Sequence, residues 1–225
     1  GPQAVHDTHL RELQARCDPK SSFVLTLGGE HSVALAPITF YRQAFPDLVI
    51  IQVDAHADLR PSYQDSPLSH ASVMARVMEM GLPLVQLGIR SLCREEAQII
   101  AESKADDLLT LFAWDLGSPQ QAAERVRSFV GQRPVYVSFD VDGLDPSIMP
   151  GTGTPEPGGL SFAWLQAFWT VVFRGLRLVG LDCCEVAPLP GCGVVSESVA
   201  VKCVNRILLA SLLSSSGRLE ASAAG

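Results

Sequence analysis

Leu48-Val49-Ile50-Ile51-Gln52-Val53-Asp54-Ala55-His56-Ala57-Asp58 runs from an almost unbroken apolar segment directly into two carboxylates flanking an imidazole. A continuous apolar run, not an alternating one, is the pattern of a strand covered on both faces. Five more runs read the same way: Phe23–Leu27, Leu84–Ile89, Leu108–Ala113, Val135–Phe139 and Leu178–Cys183. Helix-length stretches separate them, at Ser32–Ala44, Ser69–Met80, Arg94–Ser103, Pro119–Val130, Phe162–Phe173 and Glu197–Leu213. Ser118-Pro119 supplies a capping serine and a proline at the first helical position. Strands alternating with helices, without hairpin signals, predict an α/β fold of three layers, α/β/α, around a mainly parallel sheet. In such sheets ligands bind beyond the carboxyl ends of the strands.

Three strands close in acidic or imidazole clusters at that end. They are Gly28-Gly29-Glu30-His31, Asp54-Ala55-His56-Ala57-Asp58 and Asp140-Val141-Asp142. Alternate residues of an extended segment share a face. Asp54, His56 and Asp58 can therefore converge from one strand end, Asp140 and Asp142 from another, and His31 from a third direction. Left unpaired, so many carboxylates repel one another and are costly at low dielectric. A carboxylate-rich set with some imidazole suits manganese-like hard ions better than a thiolate zinc site. Four carboxylates balance two divalent ions, and two ions can acidify a shared water to the point of hydroxide near neutral pH. The expectation is metal-assisted hydrolysis of a cationic substrate.

The 225 residues are 47% hydrophobic and 18% charged, enough for one domain with a sizeable core and unlike a disordered chain. A net charge of −7 without a basic run argues against nucleic acid. No run of 18 apolar residues predicts a membrane span, and no signal peptide is visible. None of the six cysteines forms a C-x-x-C pair. They read as small apolar residues of a reducing compartment, which predicts a cytoplasmic protein. Cys183 and Cys184 should face opposite sides of their strand. The Pro- and Gly-rich stretch Asp145–Gly159 predicts an ordered site loop. His6 and His9, on a lead helix within residues 1–20, read as surface residues. The body of the domain spans 21–213, and 214–225 reads as a flexible tail.

The motifs Gly-Gly-Glu-His-Ser (28–32), Asp-Ala-His-Ala-Asp (54–58), Ser-Phe-Asp-Val-Asp-Gly-Leu-Asp-Pro (138–146) and Pro-Gly-Thr-Gly-Thr-Pro (150–155) resemble those of the ureohydrolases: arginases, agmatinases and their guanidino-hydrolase relatives. The resemblance covers nearly all of residues 20–210. It implies two manganese ions per chain, one held by His31, Asp54, Asp58 and Asp140, the other by Asp54, His56, Asp140 and Asp142. It further implies that His70 shuttles a proton to the leaving amine and that Glu185 pairs with the substrate guanidinium. A planar guanidinium can give two parallel hydrogen bonds to one carboxylate. The implied partners are a small cationic guanidine and further copies of the chain, as a trimer or hexamer.

The family pattern carries about another eighty residues before the first motif, so Phe23–Leu27 is expected at an exposed sheet edge. Within the family, the resemblance is greatest to agmatinases. Arginases carry an Asn where Arg60 stands and acidic residues where Ser91-Leu92-Cys93 stands. The short loop Leu59–Ser69, with Tyr63, and the run Ser69-His70-Ala71-Ser72 are agmatinase-like. Agmatine, converted to putrescine and urea, is therefore preferred over arginine or guanidinobutyrate. Two rivals remain: an inactive structural or regulatory member of the family, and a single-zinc deacetylase of related fold, which would not need His31, Asp58 and Asp142 together.

Overall fold

The computed structural model describes residues 1–190 and 194–215. The six apolar runs become strands β1 (Val24–Leu27), β2 (Val49–Val53), β3 (Leu84–Ile89), β4 (Leu108–Phe112), β5 (Val135–Asp140) and β6 (Leu178–Cys184). They form one sheet in the order β1-β6-β5-β2-β3-β4, with every pair parallel. Around it lie α1 (Pro2–Arg16), α2 (Leu35–Arg42), α3 (Val73–Glu79), α4 (Arg94–Glu102), α5 (Pro119–Val130), α6 (Phe162–Val172) and α7 (Val195–Ser215). The α/β fold with a parallel sheet is as expected. No helix among the described residues is long and apolar enough to cross a membrane.

The two faces of the sheet bury separate cores. On one face Ile50, Leu84, Tyr136 and Val179 pack with Phe40, Tyr41, Val73 and Met74 from α2 and α3. On the other, Ile51, Val85, Val137 and Leu181 pack with Ala122 and Val126 of α5, Phe168 and Trp169 of α6, and Ile207 of α7. A helix layer on each side explains why the strands read as continuous apolar runs. Gly180 is required by this packing, since a Cβ there would sit 2.4 Å from Tyr41 and 2.9 Å from Tyr136. Cys183 joins the second core, whereas Cys184 turns to the opposite face, towards Asp182. At α5, Ser118 accepts from the Gln121 N–H while the Gln121 side chain returns to the Ser118 N–H, closing a capping box behind Pro119.

Two predicted helices start differently. Ser32–Ala44 begins as a tight 3-10 turn, His31–Ala34, before α2, and Ser69–Met80 begins as another, His70–Ser72, before α3. Tertiary contacts overrule local propensity there: the His31 and His70 N–H groups donate to the carboxylates of Glu185 and Glu30. Strand β1 forms the expected edge, with Leu27 73% exposed.

Strand order fixes where a ligand can bind. The chain winds from β2 outward through β3 to β4, then returns to β5 and winds the other way to β6 and its neighbour β1. The reversal lies between β5 and β2, whose register pairs Val53 with Phe139. The next residues, Asp54 and Asp140, are therefore set side by side at the switch point.

Candidate active site

Sheet register brings the six predicted ligands together. His31 Nδ1 lies 2.9 Å from Asp58 Oδ2, 3.2 Å from Asp54 Oδ2 and 3.5 Å from Asp140 Oδ2. His56 Nδ1 lies 3.0 Å from Asp142 Oδ2 and 3.5 Å from Asp54 Oδ1. Two donor triads result, His31–Asp54–Asp58 and Asp54–His56–Asp142, each with donor atoms within 4.8 Å of one another, and Asp54 belongs to both. Backbone groups aim the carboxylates. Asp54 Oδ1 accepts from the His56 N–H, Asp140 Oδ1 from the Asp142 N–H, and Asp142 Oδ1 from the Ala55 N–H. Asp58 is held at φ 54, a backbone region that side chains other than glycine seldom occupy and that tends to mark functional sites.

The electrostatics are those of a centre that wants cations. Burial, followed by the charge of Asp54, pushes Asp58 up to about 8 and raises Asp140 well above the usual carboxylate range. The same two causes raise Asp142. Burial would lower both imidazoles, but the Asp142 and Asp54 carboxylates overcome it and lift His56 to about 11; Asp54 and Asp58 likewise lift His31. The donors are oxygen and imidazole nitrogen, without thiolate, and one carboxylate is shared between two triads. That set fits two neighbouring hard divalent ions.

The centre opens into a cleft of about 930 Å³. Glu185 and His70 line it, with Glu30, Arg60, Tyr63 and Thr154. Glu185 also has a positive φ, 64. Its N–H donates to the Gly29 carbonyl, and its Oε1 accepts from the His31 N–H at 2.7 Å. Burial raises its pKa. His70 Nδ1 lies 2.9 Å from Glu30 Oε1, and its ring meets Tyr63 edge-on at 5.4 Å.

Sequence reasoning missed several residues here. Glu30, within the first cluster, receives both the His70 ring and the His70 N–H. Thr154 donates to Asp142 Oδ2 at 3.1 Å. Glu96 is buried, accepts from the Leu59 and Cys93 N–H groups, and faces Arg60 at 3.8 Å, so it ties the loop after β2 to the start of α4. Arg90 donates to six carbonyls of the site loops. A conspicuous signal for Arg90 was available: a lone arginine directly after the fully apolar end of β3. His6 and His9 lie outside the cluster, and both are half-buried on α1; the His9 ring meets the Val33 backbone. Cys192 and 216–225 fall outside the described residues.

Fold and site together define a doubly wound α/β protein with a carboxylate–imidazole centre at its switch point. The model of the Arginase family matches residues 3–210. The chain belongs to the Arginase family. It is 39% identical over 184 residues to the N(1)-aminopropylagmatine ureohydrolase of Thermus thermophilus, covering 82% of this chain and 60% of that one. It is 37% identical over 203 residues to the agmatinase of Bacillus cereus, covering 89% and 68%. The structure of proclavaminate amidino hydrolase from Streptomyces clavuligerus superposes with a TM-score of 0.80 at 28% identity, covering 93% of this chain and 70% of that one. The chain thus spans about 60% of the length of curated relatives such as the first.

Proposed function

We propose that this chain carries the centre of a manganese-dependent guanidine hydrolase that converts agmatine and water into putrescine and urea. The observation that supports it most is the sharing of Asp54 by two donor triads, with Glu185 and His70 on the same cleft. His31, Asp54, Asp58 and Asp140 would hold one ion, and Asp54, His56, Asp140 and Asp142 the other. Bound there, the pair would make a shared water acidic enough to serve as nucleophile near neutral pH.

The protein's own groups orient substrate and move the proton. Glu185 has one oxygen held by the His31 N–H, so its other oxygen is free to accept from a guanidinium N–H and aim the central carbon at the centre. His70 has Nδ1 engaged by Glu30, so Nε2 is free to hand a proton to the departing amine as the carbon–nitrogen bond breaks. The five described cysteines are free, which supports a cytoplasmic setting. Assembly into trimers or hexamers completes the reading, and light scattering on purified protein checks it.

A second substrate has support of its own. The cleft is larger than agmatine needs, and the relatives named N(1)-aminopropylagmatine ureohydrolases are 36–39% identical to this chain. The test is a urea-release screen on manganese-loaded protein with agmatine, N(1)-aminopropylagmatine, arginine and guanidinobutyrate, with metal content measured on the same sample. A folded sample holding two ions that releases no urea from any guanidine sinks the proposal, and a single bound zinc supports the deacetylase rival. His70→Ala should keep both ions and slow turnover by about 10²–10⁴-fold, whereas Asp140→Ala should fail to hold the ions. Equal metal loss in both variants would mean that His70 is misassigned.

A further inference from the structure

Each strand carries one polar residue within its apolar run, and strand pairing sets all six in register. Thr26 pairs with Asp182, Asp182 with Ser138, Ser138 with Gln52, Gln52 with Gln86, and Gln86 with Thr110. The row crosses the whole sheet on the face of α2 and α3. It lies two residues below Asp54 on β2 and Asp140 on β5. Gln52, Gln86, Ser138 and Asp182 are each 0% exposed. Burying such groups is unfavourable unless they are hydrogen-bonded.

The bonds have a direction. Thr110 Oγ1 donates to Gln86 Oε1 at 2.9 Å. Gln86 Nε2 donates to Gln52 Oε1 at 2.8 Å and to the Ala57 carbonyl at 2.7 Å. Gln52 Nε2 donates to Asp54 Oδ2 at 2.8 Å and to the His56 carbonyl at 3.1 Å. The acceptors at the end of this arm cannot donate, so both amides are locked in one orientation. From the other side, Ser138 Oγ donates its single proton to Asp182 Oδ1 at 3.1 Å, which also takes the Cys184 thiol at 3.4 Å. Towards His31 Nε2, 2.9 Å away, Ser138 can then only accept. Nε2 must carry the ring proton, and Nδ1 is the nitrogen left to face the carboxylates.

We propose that Gln86, Gln52, Ser138 and Asp182 are positioning residues for the metal centre: one arm presents Asp54 and the other fixes the tautomer of His31. This rests on the metal reading above but not on the identity of the substrate. Groups that orient metal ligands in this way are typically worth 10–100-fold in affinity. Thr26 supplies the internal control. It stands in the same row, but its hydroxyl is buried without a partner and joins neither arm.

The experiment measures Mn²⁺ dissociation constants from the free-ion electron paramagnetic resonance signal, for wild type, Ser138→Ala, Asp182→Asn, Gln86→Met and Thr26→Val, each checked for folding by circular dichroism. Ser138→Ala removes only one oxygen, which keeps the test alive if the bulkier changes fail to fold. Ser138→Ala and whichever of the other two arm variants fold should weaken binding by about 10–100-fold, while Thr26→Val stays within about twofold of wild type. In metal-free protein labelled with ¹⁵N, a slowly exchanging His31 Nε2–H should be present in wild type and lost in Ser138→Ala. Tight binding by Ser138→Ala, equal weakening by Thr26→Val, or no Mn²⁺ binding by wild type would overturn the proposal. Variant losses alongside a wild type that binds two ions yet releases no urea would support it while sinking the hydrolase reading.

Discussion

Replacing Arg90 by lysine keeps the charge and removes the fork. Arg90 makes seven contacts with six carbonyls: Gly88, Asp142, Gly143, Leu144, Glu156 and Pro157, at 2.7–3.3 Å. Those carbonyls belong to three separate segments, and Asp142 is among the proposed ligands. Gly159 keeps the space open, since a Cβ there would come within 2.7 Å of Arg90 Nη2. A lysine ammonium has three donors at one point, so at least three of the six carbonyls lose their partner. At about 1 kcal/mol for each lost bond at this half-buried position, Arg90→Lys should cost about 3 kcal/mol. For a chain of this size that is roughly 6–12 °C in melting temperature. Chemical denaturation checks the free energy, and hydrogen exchange checks the location: the 142–157 amides should lose protection before those of β3. A variant within about 1 kcal/mol of wild type would refute the reasoning, because it would mean that charge, not the planar array of donors, holds the loops.

Loading the metal-free protein with Mn²⁺ at pH 7 should release at least two protons, since His31 is raised well above 6.5 and His56 to about 11, while ions need the bare donors. Overall binding should therefore tighten at least about a hundredfold from pH 6 to 7; calorimetry in buffers of different ionisation heat counts the protons, and fewer than two refutes it. Asp145 accepts from the Ser147, Gly158 and Gly159 N–H groups, and the Ser147 contacts chiefly hold it down at about 2. Its contribution is complete above the usual carboxylate value and disappears as pH falls towards 2, so Asp145→Asn should lower the melting temperature at pH 7 and by less below pH 4. A pH-independent gap would count against that.

What the amino-acid pattern made legible was whatever is local or repeated. Continuous apolar runs gave six strands to within a residue or two, because a strand covered on both faces has few polar positions to blur its ends. The ligands were legible because acidic and imidazole residues cluster directly after apolar strands, although it is turns and not strand alternation that converge them: β2 stops at Val53, Asp58 has φ 54, and Asp142 sits on a tight 3-10 turn, Val141–Gly143. Partners distant in the chain were not. Glu30 meets His70 forty residues on, and Arg90 reaches carbonyls fifty to seventy residues away. Gln52 is the one polar residue of Leu48–Val53, and nothing local explains it. Its meaning appears only when five neighbouring strands place Thr26, Asp182, Ser138, Gln86 and Thr110 at the same level. The two 3-10 turns at His31 and His70 escaped for the same reason, since carboxylates from elsewhere hold their first N–H groups.

The division of labour follows from which residues sit on strands and which on loops. Asp54 and Asp140 stand at the ends of paired central strands, and the groups that aim them come from the sheet or from backbone a residue or two away. Rigid strand ends of this kind suit the precise placement a metal centre needs. The cleft wall away from the centre is different. Arg60, Tyr63 and His70 lie on or beside the loop after β2, and Thr154 lies on the loop after β5. Loops tolerate change that a sheet row does not. On the proposed reading a sheet-borne centre would fix the reaction at the guanidinium carbon, whereas the chain attached to that guanidinium would face a wall drawn largely from loops. Under the same reading, exchanging residues 60–69 for a relative's loop should shift preference between agmatine and its aminopropyl derivative without disturbing metal affinity, provided that Thr154, which donates to Asp142, is kept.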